Sequence, residues 1–205
     1  MEKSKIICIV GEAATGKTTL ELALSNQGFN RVISYTTRPM RSNEVNGRDY
    51  VFIDNAAFNK LCSENKLPEH TVYPRPDGSI WQYGLCTDAL SETMDNVVVV
   101  NPHGLKQLKE SDLKDRLIVI LVKSSRAIRI TRYMNREKGD QVVIKANLAK
   151  RLADDDRDFD DEYEILGEVP STIVYNEGIT FDEFNRDILD TIKELKAQEK
   201  LFIKK

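Results

Sequence analysis

The chain is poor in the residues that staple, stack or coordinate. Its 205 residues include three cysteines, two histidines and one tryptophan. Cys8, Cys62 and Cys86 are widely spaced, odd in number and free of any C-x-x-C pairing. That excludes a disulfide scaffold or a cysteine metal knuckle and fits reduced thiols. Cys8 lies inside an apolar run, where it reads as a small packing residue. No long hydrophobic stretch opens the chain: Ile6–Val10 is short and flanked by Glu2, Lys3 and Lys5, which is neither a secretion signal nor a membrane span. Basic charge is not in excess either, since the net charge is −3, and this argues against broad electrostatic attachment to nucleic acid. Repeats and low-complexity tracts are missing. The expected address is cytoplasmic, with no membrane or nucleic-acid partner.

What is present is organised around Gly11-Glu12-Ala13-Ala14-Thr15-Gly16-Lys17-Thr18-Thr19. An apolar run precedes it and a segment with helical spacing follows. A strand, a glycine-bearing loop and then a helix are the context in which G-x-x-x-x-G-K-[ST] cradles phosphate. Gly11 and Gly16 let successive N–H groups point at one anion, and the helix start adds its positive dipole end. Ala13, Ala14, Thr15 and Thr19 belong to the same ATP-binding loop. Lys17 is expected to reach the β- and γ-phosphates, and the Thr18 hydroxyl to ligate Mg²⁺.

Apolar runs at Ile6–Val10, Val97–Val100, Leu117–Val122 and Thr172–Tyr175 alternate with helical patterns at Lys17–Ser25, Leu105–Glu110, Arg126–Asn135 and Phe181–Leu195. Short, continuously apolar strands alternating with helices predict an α/β fold with a parallel sheet covered on both faces. From Ser34 to about Asp95 the rhythm breaks. That segment is polar and turn-rich, with Asn46-Gly47 and Asp77-Gly78 as hairpin signals and short helices expected at Asn55–Asn65 and Asp88–Met94. It reads as an inserted subdomain. Within it Ser34, Arg38, Arg41 and Tyr50 gather two guanidinium forks and two hydroxyls. They suit a second anion site or, on composition alone, a solvated loop.

The run from Ser34 to Phe52, S-Y-T-T-R-P-x-R-x-x-E-x-x-G-x-D-Y-x-F, resembles the signature of the guanylate kinase family. The resemblance implies a P-loop NTPase-type core with a five-stranded parallel sheet and helices on both faces (residues 1–33, 95–131 and 152–205). It also implies a nucleoside-monophosphate-binding subdomain (34–94) and a lid (132–151). It implies transfer of a phosphoryl group from ATP to GMP or dGMP, with Mg²⁺, in a monomer or homodimer. Ser34, Arg38, Arg41 and Tyr50 would hold the acceptor phosphate, and Tyr83 of Tyr83-Gly84 would add a phenol. Glu69 of Glu69-His70-Thr71-Val72-Tyr73 would accept from the guanine edge, a task suited to an ionised, acceptor-only carboxylate. Asn176 would lie near the adenine of the donor.

The sequence departs from the family pattern at several places. Leu85 stands where a small hydroxyl residue is usual, and Val99 and Asn101 replace two aspartates, leaving Asn101 with hydrogen-bonding capacity but no charge. His103 takes the place of glutamine. The interval from Glu69 to Tyr83 is longer than expected. Arg126, Arg129, Arg132 and Arg136 recur at three- and four-residue spacing and can share a helix face. Arg132, Arg136 and the later Arg151 resemble lid arginines that neutralise charge on the transferred group; the stretch between Arg136 and Arg151 is a few residues long for the family. The acidic run Asp154–Glu162 lacks the glycine and ligand alternation of a calcium loop and reads as a solvated helix. The altered base-reading positions leave another nucleoside monophosphate or a phosphorylated sugar as alternative acceptors. A non-catalytic binding module is a third reading, opposed by the complete phosphate loop.

Overall fold

The computed structural model describes residues 3–41, 44–75, 78–178 and 188–197. In chain order the strands are β1 (Ile6–Val10), β2 (Asn30–Arg31), β3 (Tyr35–Thr36), β4 (Val51–Phe52), β5 (Glu69–Pro74), β6 (Ile80–Leu85), β7 (Asn96–Val99), β8 (Leu117–Lys123) and β9 (Ser171–Tyr175). The helices are α1 (Lys17–Asn26), α2 (Asn55–Ser63), α3 (Pro102–Glu110), α4 (Arg126–Arg136), α5 (Gln141–Asp158) and α6 (Glu162–Leu166). Residues 188–197 are also helical.

Five strands form a parallel sheet in the order β2-β7-β1-β8-β9. Its central strand β1 is apolar at every position, and β7 and β8 are apolar apart from Asn96 and Lys123, because both faces are covered. Ile6, Cys8, Val98, Val119 and Leu121 pack on one side with Leu105 and Leu108 of α3 and Ile165 of α6. Ile7, Ile9, Val97, Ile118 and Ile120 pack on the other with Leu20 and Leu24 of α1 and with Ile188 and Ile192. Burial pushes the Cys8 thiol up to about 12, so it packs as an apolar group. A second sheet, ordered β4-β3-β6-β5, carries the inserted segment. Phe58 of α2 fills its own small core with Leu67 and Cys86.

Several local expectations shift. The fifth strand of the large sheet, β2, is two polar residues long and has no apolar signature. The third strand runs Asn96–Val99 rather than Val97–Val100. The helix that follows starts at Pro102, three residues before Leu105, because Asn101 caps it and Pro102 suits its first turn. Asp88–Met94 is not a helix: a single 3₁₀ turn, Thr87–Ala89, gives way to bends. There the Asn96 side chain accepts from the Ser91 amide at 2.7 Å and donates to its carbonyl at 3.0 Å, a side-chain competitor for helical bonds. Asn46-Gly47 does not turn a hairpin, since β3 and β4 run parallel; β5 and β6 do form one. Asp77 and residues 181–187 of the last helical pattern lie outside the described residues.

Candidate active site

The donor half is built at the C-terminal edge of β1. A Cβ placed on Gly11 would stand 2.3 Å from the Val122 carbonyl oxygen of β8, so the chain passes there only as glycine. Gly16 turns left-handed, with φ of 101°, to open α1. Lys17 donates from Nζ to the Glu12 carbonyl at 2.6 Å. Burial pulls its ammonium down to about 8, against the opposing pull of Asp155. Thr18 and Thr19 are exposed on the first turn of the helix.

The loop is held from outside by contacts that pattern reading does not anticipate. Asn176, placed near the adenine by resemblance, donates from Nδ2 to the Thr15 carbonyl at 2.9 Å and accepts from Arg132 at 3.0 Å. Both ends of its amide are thereby committed to the loop and its brace. Arg132 also donates to Ser124 Oγ at 3.1 Å. Ala13, expected to contribute to the phosphate cradle, gives its N–H to Asp155 Oδ2 at 2.9 Å. That donor is thereby engaged by a carboxylate. Asp155 is buried, which corrects the reading of the acidic run as wholly solvated. A signal was available: Ile144, Leu148, Leu152 and Asp155 form the buried stripe of α5, so the carboxylate sits at an apolar position of the helical repeat.

The acceptor half is built on the second sheet. Arg38 lies over the adjoining rings of Tyr50 and Phe52, 5.5 and 5.6 Å from their centroids. Tyr50 meets Tyr83 edge-on at 5.7 Å, and Tyr83 meets Tyr73 at 5.6 Å. Arg38 is not the open phosphate fork that the sequence suggests. Its two terminal nitrogens bind Glu44 at 3.0 and 2.7 Å, and this pairing keeps the Glu44 carboxyl below its ordinary range. The more accessible guanidinium is that of Arg41, 68% exposed and paired at 4.0 Å with Glu44 Oε1. Ser34 is half-buried, and its carbonyl accepts from the Val51 amide at 2.9 Å.

Glu69 and Leu85 are direct partners across the β5–β6 ladder, so their side chains leave on one face. Both are buried. Burial with no cationic partner among its perturbing groups raises the Glu69 carboxyl to about 7. A Cβ on Gly104 would come within 2.7 Å of Glu69 Oε2, so the opening of α3 leaves room for this carboxylate. Asn101 has structural work: Oδ1 accepts from the Gly104 amide at 2.6 Å, and Nδ2 donates to the Tyr73 hydroxyl at 3.3 Å. His103 is paired with Gln107, whose amide bonds both backbone groups of His70.

Tyr73 of the second sheet meets the start of α3 through the Asn101 amide at 3.3 Å. Arg151 of α5 is exposed. Tyr73 then leads through Tyr83 and Tyr50 to Arg38. Arg136 is exposed at the end of α4, beside Glu137 and over the Tyr133 ring at 5.3 Å.

Beside this glycine-bearing loop and the tyrosine–arginine cluster stand the comparisons with known proteins. The family model described as Guanylate kinase matches residues 3–167. The chain belongs to the guanylate kinase family. It is 32% identical over 152 residues to the guanylate kinase of Coxiella burnetii, covering 73% of this chain and 72% of that one. It is also 32% identical over 145 residues to that of Nitrobacter winogradskyi, covering 67% and 64%. The crystal structure of guanylate kinase from Anaplasma phagocytophilum superposes with a TM-score of 0.57 at 19% identity, over 96% of this chain and 87% of that one; it supports the fold. The chain is thus a nucleoside-monophosphate kinase, with the family's activity of ATP-dependent GMP phosphorylation. No helix among the described residues is long and apolar enough to cross a membrane.

Proposed function

We propose that the described cleft performs this transfer with the loop at Gly11–Thr18 as donor site and the second sheet as acceptor site, and that GMP and dGMP are both acceptors. The observation that carries this reading is the loop geometry: Gly11 packs against the Val122 carbonyl, Gly16 turns left-handed and Lys17 rests on the Glu12 carbonyl. In-line transfer needs positioning and charge neutralisation more than covalent chemistry. The loop amides from Ala14 to Thr18 and the Lys17 ammonium hold the donor phosphates. To do so Lys17 releases the Glu12 carbonyl. Arg41, Tyr50, Tyr83 and Ser34 hold the acceptor phosphate, and Arg38 fixes the pocket from behind. Glu69 accepts from the purine edge. Arg132, Arg136 and Arg151 bring positive charge to the transferred group as the 132–151 lid closes and excludes water.

The donor set suits Mg²⁺. Thr18 offers one hard oxygen at the start of α1, and no group of three His, Cys, Asp or Glu among the described residues could hold a metal. One protein ligand completed by phosphates and water is the habit of Mg²⁺, which, when bound, neutralises phosphate charge. The absence of carboxylates at Val99 and Asn101 is consistent with that lean coordination. The thiols Cys8, Cys62 and Cys86 are unpaired by disulfides and support a cytoplasmic address; a monomer or homodimer fits a cleft completed by one chain.

The test is a panel of monophosphates with Mg-ATP: GMP, dGMP, AMP, CMP and dTMP. GMP and dGMP should be turned over within about tenfold of each other and well ahead of the rest. Equal turnover of AMP or CMP would overturn the role of Glu69 and favour the alternative acceptors suggested by Leu85 and Asn101.

A further inference from the structure

Three buried or half-buried charges meet behind the phosphate loop. Arg129 of α4 is 3% exposed. Its Nε donates to the Ala13 carbonyl at 3.0 Å, its Nη1 binds Glu12 and its Nη2 binds Asp155. Asp155 in turn accepts the Ala13 amide. Both backbone groups of Ala13 are therefore held by side chains from two different helices, and the flanking Glu12 carboxylate by one of them. Glu12 also supplies the carbonyl on which Lys17 rests.

The helices concerned carry the arginines expected to close over the reaction. Arg132 lies one turn beyond Arg129 on α4, and Arg151 one turn before Asp155 on α5. We propose that Glu12, Arg129 and Asp155 form a positioning clamp that makes the phosphate loop and the roots of α4 and α5 one rigid unit, so that Arg132 and Arg151 stay in register with the donor phosphates. None of the three touches the reacting atoms. Their effect is exerted through Ala13, the loop geometry and the aim of the neighbouring helices. A guanidinium is suited to this because its planar fork serves three acceptors at once, which an ammonium cannot do in fixed geometry.

A buried ion pair adds little net stability, and its replacement by neutral groups is often tolerated, whereas removing one partner leaves an uncompensated charge. The test uses that asymmetry. Arg129→Lys, and the double variant Arg129→Met with Asp155→Asn, which removes the buried pair and leaves Glu12, 19% exposed, to solvent, are compared with the wild type. The measurements are thermal stability, ATP binding without acceptor, and kcat and KM for each substrate. The proposal rests on the donor reading of the loop, and ATP binding by the wild type checks that reading by itself. The expected result is a double variant that melts near the wild type, binds ATP about tenfold more weakly and loses kcat by roughly 100-fold. Its acceptor KM should stay within twofold, and Arg129→Lys should fall between. Wild-type ATP affinity and kcat in a folded double variant would overturn the clamp, as would an acceptor KM that rises in step with the ATP KM. If the double variant does not fold, Arg129→Lys decides by the same split between kcat and the two KM values.

Discussion

The two halves of the cleft are built on opposite strategies. The donor loop is defined by backbone, and its neighbours leave it little freedom: Asn176 and Arg132 hold Thr15, Asp155 and Arg129 hold Ala13, and Val122 forbids a side chain at Gly11. The second sheet instead gathers side chains: Arg41 is mostly exposed beside Glu44, and Glu69 is buried with no ion pair among the described residues. A phosphate is the same in every nucleotide, so a fixed cradle serves it. A base must be distinguished from similar ones, and that depends on a polar group which is costly when left without its partner.

The sharpest way to break the contrast is Lys17→Ala. It should reduce kcat by about 1,000-fold or more while leaving the circular dichroism spectrum unchanged; a variant with normal turnover would remove the donor loop from the chemistry. Glu69→Gln attacks the other half. It should raise the KM for GMP by roughly 10- to 100-fold with the KM for ATP nearly unchanged, since the amide offers a donor where two acceptors are needed.

The pH dependence sharpens the comparison further. Glu69 holds its proton to about 7 in the folded protein, against an ordinary 4.5. Between those values the unfolded chain gives up a proton that the folded chain keeps, so the contribution of this group to stability falls as pH rises through that window. Acceptor binding runs the other way, because the ionised form accepts two hydrogen bonds. The KM for GMP should fall as pH rises through about 7, and the Glu69→Gln profile should be flat there. A wild-type profile without this inflection would mean that Glu69 is already ionised or does not meet the base. The smallest effect is expected of Leu85→Thr. A hydroxyl opposite Glu69 should ease ionisation and move the inflection to lower pH, at a stability cost of about 1–3 kcal/mol from the loss of buried apolar packing, read from denaturant unfolding.

The same division separates what the sequence reveals from what it conceals. Gly11, Gly16, Lys17 and Thr18 are legible because a phosphate loop is local: its chemistry and its backbone needs occupy eight consecutive residues. The apolar runs at Ile6–Val10 and Leu117–Val122 reveal the sheet because burial on both faces erases polar alternation. β2 leaves no such trace, since two polar residues at an edge bury nothing distinctive. The partner of Arg38 is not legible, because Glu44 lies six residues away and only the fold of the loop brings their charges into bidentate contact. Arg129 and Asp155 are harder still. They meet the loop across 116 and 142 residues of chain, and nothing in a run of charged residues marks which one turns inward except its place on a helical stripe.

That inward turn has a consequence for how the protein can vary. Because α4 and α5 are anchored where they leave the sheet, the hairpin joining them, residues 137–140, is mechanically remote from the cradle. Its length can change while the loop at Gly11–Thr18 keeps its shape. Variation in reach and timing of closure is thereby separated from the fidelity of the phosphate grip.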